Sequence, residues 1–207
     1  MNKYRLFLLV IFITVFVWSG INPPSLSYWA LENIPVVLAL VALFILERYI
    51  KLSDITYTFL LAYIILPLIT SHYGVTQVPF GFSIGHFFGS SINMYDKFTH
   101  FSFGFLVFYP IQEIITLFNK NYEKESLWNY YIPLSTMFAL SGIYEIFEWI
   151  ASLTVNPFLA ASFYGSTDLF DGQKDMIVIV IGALIMALAL FLIRKYINNK
   201  KYDILNI

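Results

Sequence analysis

Residues 95–101 read Tyr95-Asp96-Lys97-Phe98-Thr99-His100-Phe101, so an acid and a histidine open a long apolar run. Positions four apart lie on one face of an α-helix, and Asp96 and His100 therefore share a face if this run is helical. Ionisable residues are rare inside membrane helices and usually mark functional positions there. The stretch predicts a polar site near one end of a membrane helix.

The composition is that of an integral membrane protein. Of 207 residues, 59% are hydrophobic and only 12% are charged, whereas soluble domains have about 25% charged residues. The net charge of -1 does not indicate a nucleic-acid partner. The absence of cysteine excludes disulfides, thiolate metal sites and cysteine nucleophiles. The lipid bilayer is therefore the predicted partner, and the oligomeric state stays open.

Six apolar runs are long enough to cross a bilayer, which requires about 20 helical residues. They lie near residues 5–21, 28–47, 54–73, 96–117, 128–150 and 174–195. The sequence thus predicts an all-α, polytopic membrane protein in which residues 1–207 form a single domain of six transmembrane helices. The first run also fits a signal peptide, because Lys3 and Arg5 precede it and Ser19-Gly20 is small. Cleavage there would leave five spans.

The basic residues predict the orientation of these spans. Ten of the 12 fall at alternate ends, which the positive-inside rule places in the cytoplasm. They are Lys3, Arg5, Arg48, Lys51, Lys120, Lys124, Arg194, Lys195, Lys200 and Lys201. Only Lys97 and Lys174 fall at the opposite ends. Both termini are therefore predicted to be cytoplasmic.

Acidic residues concentrate at the predicted outer level, where seven acids against two lysines give a charge of -5. These acids are Glu32, Asp96, Glu145, Glu148, Asp168, Asp171 and Asp175. An ionised side chain at mid-membrane costs about 2.5 to 3.5 kcal/mol on insertion scales. Acids in several spans are therefore expected to meet one another rather than to face lipid.

Such a cluster has too few cations, so it must either hold protons or recruit a metal ion. The candidate catalytic residues are Asp96, His100, Glu145, Glu148, Asp168, Asp171 and Asp175. The candidate metal ligands are His100, Glu145, Glu148, Asp171 and Asp175. Carboxylates with one imidazole suit a divalent ion such as Mg, Mn, Ca or Zn.

Two alternatives need no metal. In the first, a hydrogen-bonded network holds the helix ends together, with Lys97 and Lys174 neutralising two carboxylates. In the second, the acids form a path for ions or protons. The other two histidines are weaker candidates, since His72 ends the third run and His86 lies in the connection that follows. That connection, about 74–94, and a second one at 151–172 are expected to fold back over the helix ends.

Six short blocks stand out by their order and spacing. They are Trp29-x-x-Glu32-x-x-Pro35, Ser71-His72-Tyr73-Gly74, Val78-Pro79-Phe80, Asn93-Met94-Tyr95-Asp96-Lys97 with His100-Phe101, Tyr144-Glu145-x-x-Glu148-Trp149, and Asp168-x-x-Asp171-x-Gln173-x-Asp175-Met176. Together they resemble the YjdF family of bacterial inner-membrane proteins. Lys97, Thr99 and Phe170 stand where that family usually carries Arg, Gly and Trp. The resemblance implies a multi-pass inner-membrane protein and assigns no activity.

A fainter likeness is to the VanZ-like membrane proteins, which are linked to glycopeptide resistance. The shared order is an Asp-Lys-x-x-His-Phe helix start at residues 96–101, a later glutamate at Glu145, and spaced aspartates before a last span that contains Gly182. The likeness implies an envelope function by analogy. Two functional classes follow: a metal-dependent enzyme acting on a lipid-linked or envelope substrate, and an ion-coupled transporter or membrane scaffold.

The predicted orientation can be tested with reporter fusions in cells. A reporter placed after Lys51, after Lys124 or at Ile207 should be active only as a cytoplasmic reporter, and one placed near Ser83 or Ser162 only as an external reporter, because the charge bias requires it. An external carboxyl terminus would contradict the predicted orientation.

Overall fold

The computed structural model describes residues 2–119, 126–154 and 170–205, with side chains as far as residue 197. Within these ranges the chain is helical and contains no β-strand. The helices are α1 (Lys3–Ser19), α2 (Leu26–Leu46), α3 (Asp54–Tyr73), α4 (Pro79–Phe87), α5 (Tyr95–Phe118), α6 (Trp128–Thr154) and α7 (Asp171–Leu205), with a 3-10 turn at Val75–Gln77.

Four segments are long and apolar enough to cross a membrane: Leu26–Leu46, Asp54–Tyr73, Tyr95–Phe118 and Asp171–Ile197. The all-α, multi-pass prediction is therefore confirmed. Two predicted spans fall outside this set. Helix α1 has 17 residues, and α6 has 27 residues that include two glutamates and several other polar residues. The count of six spans and the orientation of the termini stay predictions.

Helix ends follow from local sequence. The Ser53 hydroxyl accepts a hydrogen bond from the Thr56 amide and caps the start of α3. The same helix stops before Gly74, whose φ of 82° is in the left-handed region that favours glycine. The predicted connection at 74–94 contains α4, a helix that the sequence did not predict. The second predicted connection falls mostly on residues 155–169, which lie outside the described ranges.

Helices α5 and α7 approach closely enough for their backbones to touch. A β-carbon added at Gly104 would collide with the carbonyl oxygen of Ile179, and one added at Gly182 would collide with the carbonyl oxygen of Phe101. Two glycines thus permit the crossing. The buried core at this crossing includes Phe108 and Met137, each with 0% exposure.

The opposite ends of the bundle carry separate polar groups. Arg5 of α1 contacts Asp54 at 2.6 Å and Glu47 at 2.9 Å, which ties α1 to the ends of α2 and α3. Glu113 of α5 accepts hydrogen bonds from the Ser53 amide and from the Thr56 hydroxyl at the same end. Asp96 lies at the other end of α5. The charged side chains therefore occupy two separate levels.

Adding one methyl group at Gly104 tests how closely α5 and α7 pack at their crossing. Gly104→Ala should destabilise the protein by about 1 to 3 kcal/mol, because its β-carbon meets backbone that cannot move without separating the helices. Gly142→Ala is the matched control, since its β-carbon meets only the Met176 methyl at 3.6 Å. Thermal unfolding in detergent should show a lower Tm for Gly104→Ala only. Equal Tm values for both variants would contradict the close crossing.

Candidate functional site

The start of α5 is fixed by an asparagine. Asn93 donates its side-chain amide to the carbonyl oxygens of Thr76 and Val78, at 3.0 and 2.9 Å, and accepts a hydrogen bond from the Tyr95 amide at 3.0 Å. The chain entering α5 is thereby anchored to the 3-10 turn. This anchoring sets the position of the residues of the first two turns, which carry most of the candidate site.

Lys97 joins three aspartates from two helices. Its ammonium nitrogen Nζ lies 3.2 Å from Asp96 Oδ2, 2.7 Å from Asp171 Oδ1 and 2.7 Å from Asp175 Oδ1. The Asp175 side chain is only 3% exposed, and the other members of the set are about one-quarter to one-third exposed. One positive charge thus stands among three negative charges, and it links the start of α5 to the start of α7.

His100 lies between this set and the glutamates of α6. The residue is 5% exposed. Its Nε2 atom lies 3.3 Å from Asp96 Oδ1, and its Nδ1 atom lies 3.8 Å from Glu145 Oε1. At the first distance the Nε2 proton can be donated to the Asp96 carboxylate. In a neutral ring with this tautomer, the lone pair of Nδ1 is directed toward Glu145. The second distance is too long for a hydrogen bond.

Glu145 and Glu148 lie three residues apart on one face of α6 and form a second group together with His100. One ligand atom each from His100, Glu145 and Glu148 lie within 4.8 Å of one another, and the same holds for Asp96, His100 and Asp175. The Oε1 atom of Glu145 is buried and has no hydrogen-bond partner among the described residues. A buried carboxylate oxygen without a partner is costly, so this atom is where a proton or a cation would be most stabilising.

A small pocket opens beside these groups. Its cavity volume is about 20 Å³, which is enough for a water molecule or an ion. The lining residues come from five helices and the 3-10 turn: Glu32, Pro67, Thr70, Val75, Asp96, Thr99, His100, Tyr144, Glu148 and Asp171. A larger substrate would have to bind at its mouth.

The structure brings together most of the predicted site residues, namely Asp96, His100, Glu145, Glu148, Asp171 and Asp175. Asp168 lies outside the described residues. His72 instead packs against aromatic rings, with centroid distances of 4.1 Å to Trp18 and 4.7 Å to Tyr73. His86 is exposed on α4.

Two kinds of pocket residue were not predicted from the sequence. Tyr144 lies four residues before Glu148, so helical spacing places it on the same face, and this signal was available. Thr70 and Thr99 carry no comparable signal, because a threonine in an apolar helix is common and most bond their own backbone. Both do so here, with Leu66 and Tyr95 as the acceptors.

The fold and the site define a multi-pass membrane protein with a buried polar cluster at one end of its helices. The sequence profile of a family described as "Predicted membrane protein (DUF2238)" matches residues 4–196, and the chain belongs to that family. The chain is also similar to the inner membrane protein YjdF of Escherichia coli (strain K12). The two are 29% identical over 171 residues, which cover 82% of this chain and 80% of that protein. The predicted YjdF resemblance is thereby confirmed, and no solved structure matches the chain.

Replacing Lys97 tests how much its ammonium stabilises the three aspartates that it contacts. Lys97→Met leaves three neighbouring carboxylates without their shared cation and should destabilise the protein by about 1 to 3 kcal/mol, since the set is only partly buried. Adding Asp175→Asn removes the most buried of these charges, so the double variant should lose less than the sum of the single variants. Chemical unfolding in detergent measures both values. Lys51→Met, at an exposed lysine, is the control, and additive losses would argue against a coupled set.

Proposed function

We propose that the protein is a six-span inner-membrane protein that binds a divalent cation at its outer face through His100, Glu145 and Glu148. We further propose that it uses this cation as an enzyme acting on a lipid-linked or other envelope substrate. The observation that carries the proposal is the 3.8 Å separation of His100 Nδ1 from the unpartnered Oε1 atom of Glu145.

That separation fits two ligands of one ion better than a hydrogen bond. Ligand bonds of about 2.1 Å in tetrahedral geometry place two ligand atoms about 3.4 Å apart. Asp96, on the far side of the imidazole, is positioned to hold the Nε2 proton. Histidines that bind metals usually donate their other nitrogen to a carboxylate in this way, which fixes the tautomer and raises the basicity of the ligating nitrogen.

The surrounding charges favour an added cation. Six carboxylates converge on the pocket and its neighbourhood, contributed by Glu32, Asp96, Glu145, Glu148, Asp171 and Asp175. Lys97 and His100 contact members of this group. Because Asp171 and Asp175 already contact the Lys97 ammonium, we assign these two aspartates a structural role beside the site rather than a role as cation ligands. The ligands proposed here are therefore a subset of those predicted from sequence.

Several features support six spans with both termini in the cytoplasm. At 1.5 Å per residue, α1 is about 26 Å long and α6 about 40 Å, so each approaches or exceeds the bilayer core of about 30 Å. Arg5 and Arg194 lie at the end of the bundle opposite Asp96. The positive-inside rule places that end in the cytoplasm. The name of the similar E. coli protein supports the inner membrane.

As an enzyme, the protein would use the cation to lower the pKa of a bound water molecule and to polarise the substrate. Glu148 lines the pocket next to His100, so one of its carboxylate oxygens would bind the cation while the other would accept the proton of that water. The pocket admits only a small group, so the reacting bond of a large lipid-linked substrate would lie at the pocket mouth. The likeness to VanZ-like proteins supports an envelope substrate by analogy alone.

A second candidate function is a membrane scaffold or an ion-coupled transporter. The Lys97 contacts favour this function. The lysine ammonium lies among three aspartates, where it takes the position that a bound metal cation could otherwise occupy. In that case the glutamates of α6 would hold protons or exchangeable ions rather than a resident metal.

The two functions predict different metal content. Purified wild-type protein should retain or bind one equivalent of Mg, Mn, Ca or Zn, and chelator should lower its Tm, because a ligand that binds only the native state stabilises it. His100→Ala should weaken binding by about tenfold or more and should lose the chelator response. His86→Ala, at an exposed histidine on α4, should behave as wild type. Wild-type protein without metal above background and without a chelator response would overturn the metal proposal.

A second pair of variants tests the ligand geometry without removing a ligand. A β-carbon at Gly172 would lie 2.9 Å from Glu145 Oε2. Gly172→Ala should therefore displace this carboxylate and weaken cation binding while the protein stays folded. Gly142→Ala, on the helix that carries Glu145, is the control. Unchanged affinity in Gly172→Ala would argue against Glu145 as a ligand.

A further inference from the structure

Helix α4 exposes a row of large apolar side chains at the end of the bundle that contains the polar site. Phe87 is 83% exposed, and Phe80 is 55% exposed. With the partly exposed Ile84 between them, these residues have the i, i+4, i+7 spacing that makes one stripe along a helix. Phe80, Ile84 and Phe87 are called the apolar stripe below. His86 lies about a third of a turn away from it.

The other side of α4 is held against the protein by glycines. A β-carbon at Gly81 would collide with the Asn93 side chain, and one at Gly85 would collide with the carbonyl oxygen of Ile92. The Met94 amide also donates to the Gly81 carbonyl at 3.0 Å. The glycine face therefore packs directly on residues 92–95. This packing fixes the rotation of α4 and directs the apolar stripe away from that contact.

Three observations indicate what covers the stripe. First, α4 connects two membrane-spanning helices at the same end, since α3 ends at Tyr73 and α5 begins at Tyr95. Second, residues 74–94 contain no Asp, Glu, Lys or Arg. Third, Phe80 packs against Phe98 of α5 with a ring distance of 5.5 Å, so the stripe continues onto the surface of a spanning helix. An apolar surface of this kind in water would be unusual for a stable protein.

We infer that α4 is an interfacial helix whose apolar stripe lies in the acyl chains of the leaflet at this end of the bundle, with His86 facing the headgroups and water. An amphipathic helix lying in the plane of the interface buries its apolar face by about 5 to 10 Å. Lipid is favoured over a protein partner because both neighbours of α4 along the chain are spanning helices. The inference is independent of the proposed metal and of the membrane orientation.

The lack of cysteine in the chain permits a direct test. Phe87→Cys and His86→Cys are each labelled with a nitroxide in the full chain, reconstituted in nanodiscs of phosphatidylethanolamine and phosphatidylglycerol. Collision rates with oxygen, which partitions into lipid, and with a water-soluble nickel complex are then measured. The label at position 87 should collide several-fold more with oxygen than with nickel, and the label at position 86 should show the reverse.

Two results would overturn the inference. Nickel accessibility at position 87 equal to that at position 86 would place the stripe in water. Exclusion of both reagents at position 87 would show that protein covers it, and spin–spin broadening would then identify a second copy. If Phe87→Cys fails to fold, as judged by elution and circular dichroism, Ile84→Cys gives the same readout from the same stripe.

Discussion

The Lys97 ammonium contacts Asp96 on its own helix and Asp171 and Asp175 on α7, and the geometry of the site depends on these contacts. Without them, three carboxylates from two helix starts would repel one another in surroundings of low dielectric constant. The same two helices touch through Gly104 and Gly182 about two turns further along. One polar and one steric contact therefore hold α5 against α7. His100 lies between these two contacts on α5, so its position relative to both of them is fixed.

The fixed His100 imidazole connects two groups of carboxylates. Asp96 is shared between Lys97 and His100, so the lysine set and the glutamates of α6 are connected through one aspartate and one ring. A change of charge on either side would be transmitted to the other through these contacts. The glutamates of α6 receive less compensation than the aspartates of α7. A site with this imbalance favours protons or a cation near Glu145, which is the common basis of both functions considered.

Other charged groups stabilise the bundle at the end opposite the site. Arg5 links α1 to the ends of α2 and α3, and Arg194 donates to Gln112 at 2.6 Å, which links α7 to α5. The site end has aromatic and glycine contacts in addition to the Lys97 ion pairs, among them the packing of α4 on residues 92–95. An interfacial α4 would set the depth of this end in the bilayer. The pocket would then open at the level where lipid headgroups and water meet.

The sequence by itself determined the class of protein, the positions of the six long helices and the family, but it did not predict α4. Periodic apolar length predicted α3 at 54–73 and placed the other helix ends within a few residues, except for the longer α6 and α7, because hydrogen bonding within each helix is a local property. Helical spacing also placed Asp96 with His100 and Glu145 with Glu148. Only the tertiary structure decided that Lys97 takes Asp171 and Asp175, that His100 faces Glu145, and that α4 presents a stripe. Spacing fixes the face of a helix on which a residue lies, whereas the rotation and crossing of neighbouring helices decide which faces meet.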